Sequence, residues 1–404
     1  MKKFISLFLV LVLAFGCISG VTASAAKTKS ALVGVALMSN DNNTSIIKDY
    51  LNNEIGPALD MQFDFSEAIS SSEALVTFIE NEYMKGAKGI INLYTSGAAA
   101  GISKCEELGI VIQNQKSALD ADYVEFACNL GNCGASSAGM EVAYKAAMEN
   151  ILSDGEEHSV LLYSCAAAGR QAESHYYSSM AVFEAMQNAY GLTYEKSIEE
   201  MAQEDFVGER ATGKDNIKIF QVSGFPGTEA VANGISNAIS TGNYDIFVAV
   251  ASYSMYASYI DAAEKSTGKN IRILATASIE DQTKTGFSTL DSTGSYVLDA
   301  AIINPLAVAY AINATAVRNA IDGKADLYKE EGKAVQLNVE PWVCLSAEQF
   351  EGISKLDNVG TWVISGEEAK ALCDAYNPGV ELSASRDLLA GLADLDALIA
   401  AKLG

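Results

Sequence analysis

From Ala31 onward, apolar runs of strand length alternate with longer stretches in which apolar residues recur at helical spacing. ALVGVAL (31–37) reads as a strand, and Ile46, Ile47, Tyr50, Leu51 and Ile55 follow as one face of a helix. MQFDFSEAI (61–69) alternates as a strand does; Leu75, Phe78, Ile79 and Tyr83 mark the next helix. IINLYTSGAAAG (90–101) opens as a third strand, a helix follows at 102–108, and GIVIQNQ (109–115) and YVEFACNL (123–130) read as the fourth and fifth. After a helix at 135–151 the pattern restarts. SVLLYSCA (159–166), IKIFQV (217–222), DIFVAVAS (245–252) and IRILATAS (271–278) are strands, separated by helices at 180–190, at 228–239 and from Met255. Continuous apolar strands alternating with helices require parallel sheets covered on both faces. The expected class is therefore α/β, with two doubly wound parallel-sheet lobes joined by crossing hinge strands.

The rest of the chain reads as a return. SYVLDAAII (295–303), a helix running through Val317 and a strand at AVQLNVE (334–340) come first. Leu389, Leu392, Leu395, Leu398 and Ile399 then mark a terminal amphipathic helix packed on a lobe. The expected division is 1–26 leader, 27–133 N-terminal lobe, 134–293 C-terminal lobe, 294–332 back to the first lobe, and 333–404 back to the second. The hinge is expected near 130–134, 291–295 and 333–336.

Lys2 and Lys3 precede an apolar run from Phe4 to Phe15 that is short for a membrane span and is followed by small residues, the pattern of a secretory signal. Cleavage after Ala23-Ser24-Ala25 leaves a free protein; lipid modification at Cys17 leaves a tethered one. Either way the protein is expected outside the membrane, at the cell surface or free. A formal net charge of −24 argues against nucleic acid or anionic lipid as partner. Part of that charge lies between Gly191 and Asn216, read as a solvated excursion. Beyond Cys17 stand Cys105, Cys128, Cys133, Cys165, Cys344 and Cys373. Export permits disulfides, and Cys128 and Cys133 are close enough in sequence to pair. Cys105 and Cys165 read as buried free thiols.

The small-residue turn after Tyr94 invites comparison with a phosphate loop, but it has neither the Lys-Ser/Thr pair of a P-loop nor GxGxxG. Gly97 and Gly101 then read as close-packing positions. Catalysis finds little support: the two histidines, His158 beside Glu156 and Glu157 and His175 in a Tyr-rich stretch, give little to build a triad, and the sequence has no GxSxG or HExxH pattern. The adjacent carboxylates Glu199-Glu200 and Glu280-Asp281 diverge on any regular element. No cofactor or metal is implied, and the chain reads as a binder, not an enzyme.

VGVALMSN, GAKGIINLYTS, ELGIVIQNQ and GSYVLDAAIINPLAVAYAINATAVRNAIDGK, in this order and behind a secretion signal, resemble the type I periplasmic solute-binding proteins, the receptors of ABC importers. That resemblance implies a monomeric receptor that closes on a small-molecule ligand between its lobes and hands it to an ABC permease in the membrane. The general rule for open α/β sheets places ligands at the carboxyl ends of strands. It nominates Ser39, Asn40 and Asp41 after the first strand, Tyr94, Thr95 and Ser96 after the third, and Asn114 and Gln115 after the fourth. From the second lobe it nominates Arg170, Tyr177, Phe225, Tyr253, Ser254, Ser278, Glu280 and Asp281, with Asn304 at a crossing segment. Amide and hydroxyl groups suit a neutral polar ligand, and the aromatic faces can stack on its apolar side. The chain departs from the sugar-binding members: Tyr177, Ser252-Tyr253 and Ala277 stand where those proteins carry arginine, an Asn or Asp, and aspartate. A carbohydrate is the leading ligand class; a nucleoside, a furanone-type signal or a sensory role coupled to a membrane kinase is the alternative.

Overall fold

The computed structural model describes residues 30–166, 173–251, 253–357 and 361–404. Residues 1–29, with the expected leader and Cys17, and also Arg170 and Ser252 lie outside the described residues. In the first lobe come β1 (Ala31–Ala36), α1 (Asn42–Tyr50), the short α2 (Gly56–Leu59), β2 (Met61–Phe65), α3 (Ser72–Lys85), β3 (Gly89–Asn92), α4 (Ala98–Leu108), β4 (Val111–Asn114) and β5 (Asn129–Ala135). In the second come α5 (Ser137–Ile151), β6 (Val160–Tyr163), α6 (Glu173–Tyr190), α7 (Ile198–Gln203), β7 (Val207–Arg210), β8 (Ile219–Val222), α8 (Glu229–Ser240), β9 (Ile246–Ala249), α9 (Ala257–Thr267), β10 (Arg272–Thr276), α10 (Asp281–Ser288) and β11 (Ala300–Ile303). The chain continues with α11 (Leu306–Ile321), a small hairpin of β12 (Lys329–Glu330) and β13 (Lys333–Ala334), β14 (Gln336–Val339) and β15 (Trp342–Cys344). Four helices end it: α12 (Ala347–Asp357), α13 (Gly366–Ala371), α14 (Leu382–Gly391) and α15 (Leu395–Leu403).

A six-stranded sheet of order β14-β5-β4-β3-β1-β2 is parallel throughout. The seven-stranded sheet, β15-β11-β10-β9-β6-β8-β7, is parallel except for its two edge strands. Its inner strands VLLY, IFVA and AAII are buried at every position, as apolar runs covered on both faces must be. Among the described residues no helix is long and apolar enough to cross a membrane.

The fifth strand departs from expectation. Only the last two residues of YVEFACNL are strand: a 3-10 turn at Ala121–Tyr123 ends at its first residue, turns follow, and the strand begins at Asn129. Tyr123 and Phe126 pack edge-on at 5.2 Å against the outer core of the first lobe, which fixes them in a loop. The real strand, NLGNCGA, carries little apolar signal because its small and polar residues serve close approach. Gly131 has φ +95°, and a side chain there would strike the Val335 carbonyl; Asn132 Nδ2 donates to Ala118 O at 2.7 Å. Cys128 belongs to the outer core and Cys133 to the inner one, on opposite faces of the sheet. The six described cysteines are accordingly buried and free, with no Cys128–Cys133 bridge.

The passages between lobes also fall later in the chain than 130–134, 291–295 and 333–336. Residues 300–303, expected to open the return, pair with β10 in the second sheet; β14, expected in the second lobe, pairs with β5 in the first. The chain crosses at Ser136, at Asn304-Pro305 and at Glu340-Pro341. The acidic stretch 191–216 is more than a solvated excursion, since it holds α7 and an edge strand antiparallel to β8.

At the second crossing α11 begins, a helix buried almost all round beneath the first sheet. Its N-cap, Pro305, offers no side chain to the helix N–H groups. The fully buried Asp357, at the end of α12, supplies what is missing: its carboxylate accepts from Leu306 N and Ala307 N, each at 2.7 Å. Burial pushes that carboxyl up to about 8 even though both bonds favour its charged form.

At the opposite end of the second sheet His158 lies between Asp245 (Nδ1, 2.7 Å) and Asp154 (Nε2, 2.9 Å). Burial disfavours the imidazolium, but the two carboxylates outweigh it and the net shift is upward from 6.5. A raised histidine contributes stability that is complete below its unfolded pKa and lost as pH climbs through the folded one. Thermal melts of the wild type are expected to show a midpoint that declines above about pH 6.5, and His158→Gln should flatten that part of the decline; identical profiles for both proteins would refute the assignment.

Candidate functional site

The carboxyl ends of the first sheet open onto a cleft of about 710 Å³. Each wall follows from a local constraint. After β1, Asp41 N-caps α1: Oδ1 accepts from Thr44 N at 2.9 Å and Thr44 Oγ1 at 3.2 Å, and Oδ2 accepts from Ser39 Oγ at 2.9 Å. Burial works against the Asp41 charge, but these bonds more than offset it and the carboxyl titrates below its usual value. After β3, Asn92 shapes the turn, accepting from Tyr94 N at 3.0 Å and donating to Asn114 Oδ1 on β4 at 2.9 Å. Gly97 is required because the Tyr94 ring fills the space a Cβ would take, 2.7 Å away. After β4, Gln115 engages the buried Tyr310 hydroxyl of α11, and Lys116 Nζ is paired with Asp120 at 2.6 Å.

Ser39, Asp41, Thr95, Ser96, Gln115 and Asn304 line this cleft. Asn40 turns instead to Glu67, at 3.1 Å, and Asn114 is buried beneath the turn. Tyr94 packs into the outer core of the first lobe and does not line the cleft. On the second lobe Tyr253 is buried, its hydroxyl donating to Gln282 O at 3.2 Å, so its face is unavailable for stacking. Ser254 and Ser278 are half-buried, Glu280 and Asp281 are exposed at the start of α10, and Phe225 is exposed. Tyr177 sits edge-on to Tyr176 at 5.2 Å. None of these lines the cleft; among the described residues of α6 to β11 only Ser174 does.

Two lining residues carry the most telling feature. Asn43 Oδ1 and Asn304 Oδ1 are buried acceptors without a protein partner. A buried amide oxygen left unbonded is costly, so such atoms mark places where a ligand or water donates. Sequence reasoning passed over Asn43 because it reads as part of the helix after Asp41. It passed over Lys116 and Asp120 because they lie beyond the strand end. Tyr310 was hidden in an apolar helix, although its place one turn after Leu306 puts both on the cleft-facing side.

No protein-family model matches the sequence, and no curated protein matches it. Solved structures do. An ABC transporter periplasmic solute-binding protein from Actinobacillus succinogenes 130z with bound D-allose is similar at a TM-score of 0.54 and 16% identity, over 80% of this chain and 99% of that one. A carbohydrate transporter solute-binding protein from Agrobacterium radiobacter in complex with D-arabinose gives 0.54 and 11%, over 83% and 100%. An ABC transporter solute-binding protein from Bacillus halodurans C-125 with bound myo-inositol gives 0.51 and 14%, over 80% and 96%. The fold is that of the type I periplasmic solute-binding proteins, as the βα order and its local echoes led one to expect.

Gly97→Ala should drive a methyl group into the Tyr94 ring and destabilise the fold by about 1–3 kcal/mol. Urea unfolding measures it, and an unchanged midpoint would show that the Tyr94 ring moves aside at no cost.

Proposed function

We propose that this chain is an exported receptor that captures a small neutral, hydroxyl-rich ligand, a carbohydrate, in the cleft and delivers it to an ABC permease. The observation that carries the reading is the pair of orphan acceptors, Asn43 Oδ1 and Asn304 Oδ1, which ask for ligand hydroxyl donors. The charged groups of the described lining support a neutral ligand: Lys116 is paired with Asp120, and Asp41 is committed to its helix cap. These commitments also support binding over catalysis, because neither carboxylate is left free to act as acid or base. The sugar-bound neighbours of the same fold point the same way. A nucleoside is less favoured, since Tyr94 and Tyr253, the aromatic faces that would stack on a base, are packed elsewhere.

In this reading, closure about the crossings at Ser136, Asn304-Pro305 and Glu340-Pro341 brings the second-lobe loops onto the bound ligand, and the closed form is what the permease meets. The leader at 1–26 accounts for export, with Cys17 as the anchor if it is acylated.

A thermal-shift screen of residues 27–404 against sugars, nucleosides and amino acids is expected to give its hits among sugars; at a hundred times Kd the gain is about 2.7 kcal/mol. Hits confined to nucleosides would overturn the reading. With the best sugar, Asn43→Ala and Asn304→Ala should each weaken binding by about 1 kcal/mol, roughly fivefold, by calorimetry. Full affinity in both variants would remove these oxygens from the site.

A further inference from the structure

Beyond β15 the chain passes between the lobes twice more. Helix α12 packs on α10 and α15 of the second lobe; α13 packs on α2 and α11 of the first; α14 lies against β14, also in the first; and α15 returns to α12. Each end is firmly held. On the first lobe the Trp362 ring lies 4.6 Å from Tyr50, whose hydroxyl donates to Ile364 O at 2.6 Å. Gly366 N donates to Glu54 at 2.5 Å, and Asn319 Nδ2 donates to Leu372 O at 2.9 Å. On the second lobe Trp342 Nε1 donates to Leu392 O at 2.9 Å, and Gln349 Nε2 donates to Asp396 at 2.8 Å. Asp357 bonds straight across, from α12 of the second lobe to the first two free N–H groups of α11 in the first.

We propose that this C-terminal segment is a strap that braces the lobes in the arrangement seen here and so sets how readily they close. In this arrangement the loops after β8, β9 and β10 stand clear of the cleft lining. Leu306, whose N–H is held by Asp357, itself lines the cleft, so the brace and the binding floor share a residue. Rotation about Asn304-Pro305 moves α11 relative to α12 and must displace bonds made at the two ends of the strap. Contacts formed in one state and disturbed in the other shift the population toward the first by their differential energy. Three crossing segments alone would leave the hinge freer; the two added passages restrain it.

The test needs no sugar, so its failure is separable from failure of the sugar-binding reading. Cysteines are introduced by Ala68→Cys after β2 and Met255→Cys after β9, both exposed, whereas the six described native cysteines are buried. Spin labels at the two positions report the interlobe distance by pulsed electron resonance in residues 27–404. Tyr50→Phe removes one hydrogen bond while keeping the ring, and Trp362→Ala removes the stack. Each is expected to move part of the distance distribution to shorter values and to broaden it. Distributions unchanged from the parent in folded Tyr50→Phe and Trp362→Ala would overturn the strap. If Trp362→Ala does not fold, Tyr50→Phe decides alone.

Discussion

Two backbone N–H groups at the start of α11 have no partner within their own helix, and one buried carboxylate from the other lobe takes both. Much of the molecule is arranged around that exchange. Helix α11 carries the floor of the cleft through Leu306 and Tyr310, packs beneath the first sheet along its length, and starts at a lobe crossing. An uncapped helix end in a dry interior is unfavourable, and an isolated buried carboxylate is worse. Each problem resolves the other, at the cost of a carboxyl whose pKa is displaced to about 8. The bond therefore holds only while the end of α12 and the start of α11 keep their relative position.

The cleft depends on a second constraint, the parallel order of the first sheet. Parallel strands send their carboxyl ends to one edge, so the loops after β1, β3, β4 and β5 meet there without any special device. What differs from loop to loop is how the side chains are employed. Asp41, Asn92 and the Lys116–Asp120 pair are spent on holding backbone and on each other, and that leaves the amide oxygens of Asn43 and Asn304 turned inward and unmatched. The polarity of the site is thus largely that of amide and hydroxyl groups, with its charged side chains already engaged.

How much of this was legible in the sequence differs by element. Strands such as VLLY and IFVA are apolar because both faces are covered, and their burial made the α/β alternation plain. NLGNCGA was missed for the opposite physical reason: its glycines and asparagines answer to Val335, Lys116 and Ala118, contacts that no periodicity records. The same gap moved the lobe crossings, since the sheet a strand joins is chosen by tertiary pairing, which neither AAII nor QLNV records. At the site, proximity to strand ends picks out Ser39, Asp41, Thr95, Ser96, Gln115 and Asn304, which line the cleft, but cannot tell a ring facing outward from one turned into the core. Tyr94 and Tyr253 were therefore expected to stack on ligand and instead pack against protein.

The cysteines carry a consequence of their own. The six described thiols lie buried, and desolvation raises the pKa of each, to about 12 for Cys344 and Cys373, so their thiolate is scarce and hard to reach. Oxidation and mixed-disulfide exchange both begin from an accessible thiolate. The described fold is therefore held by packing and hydrogen bonds with no cystine cross-link, and its buried thiols offer little to an oxidant once the chain is folded.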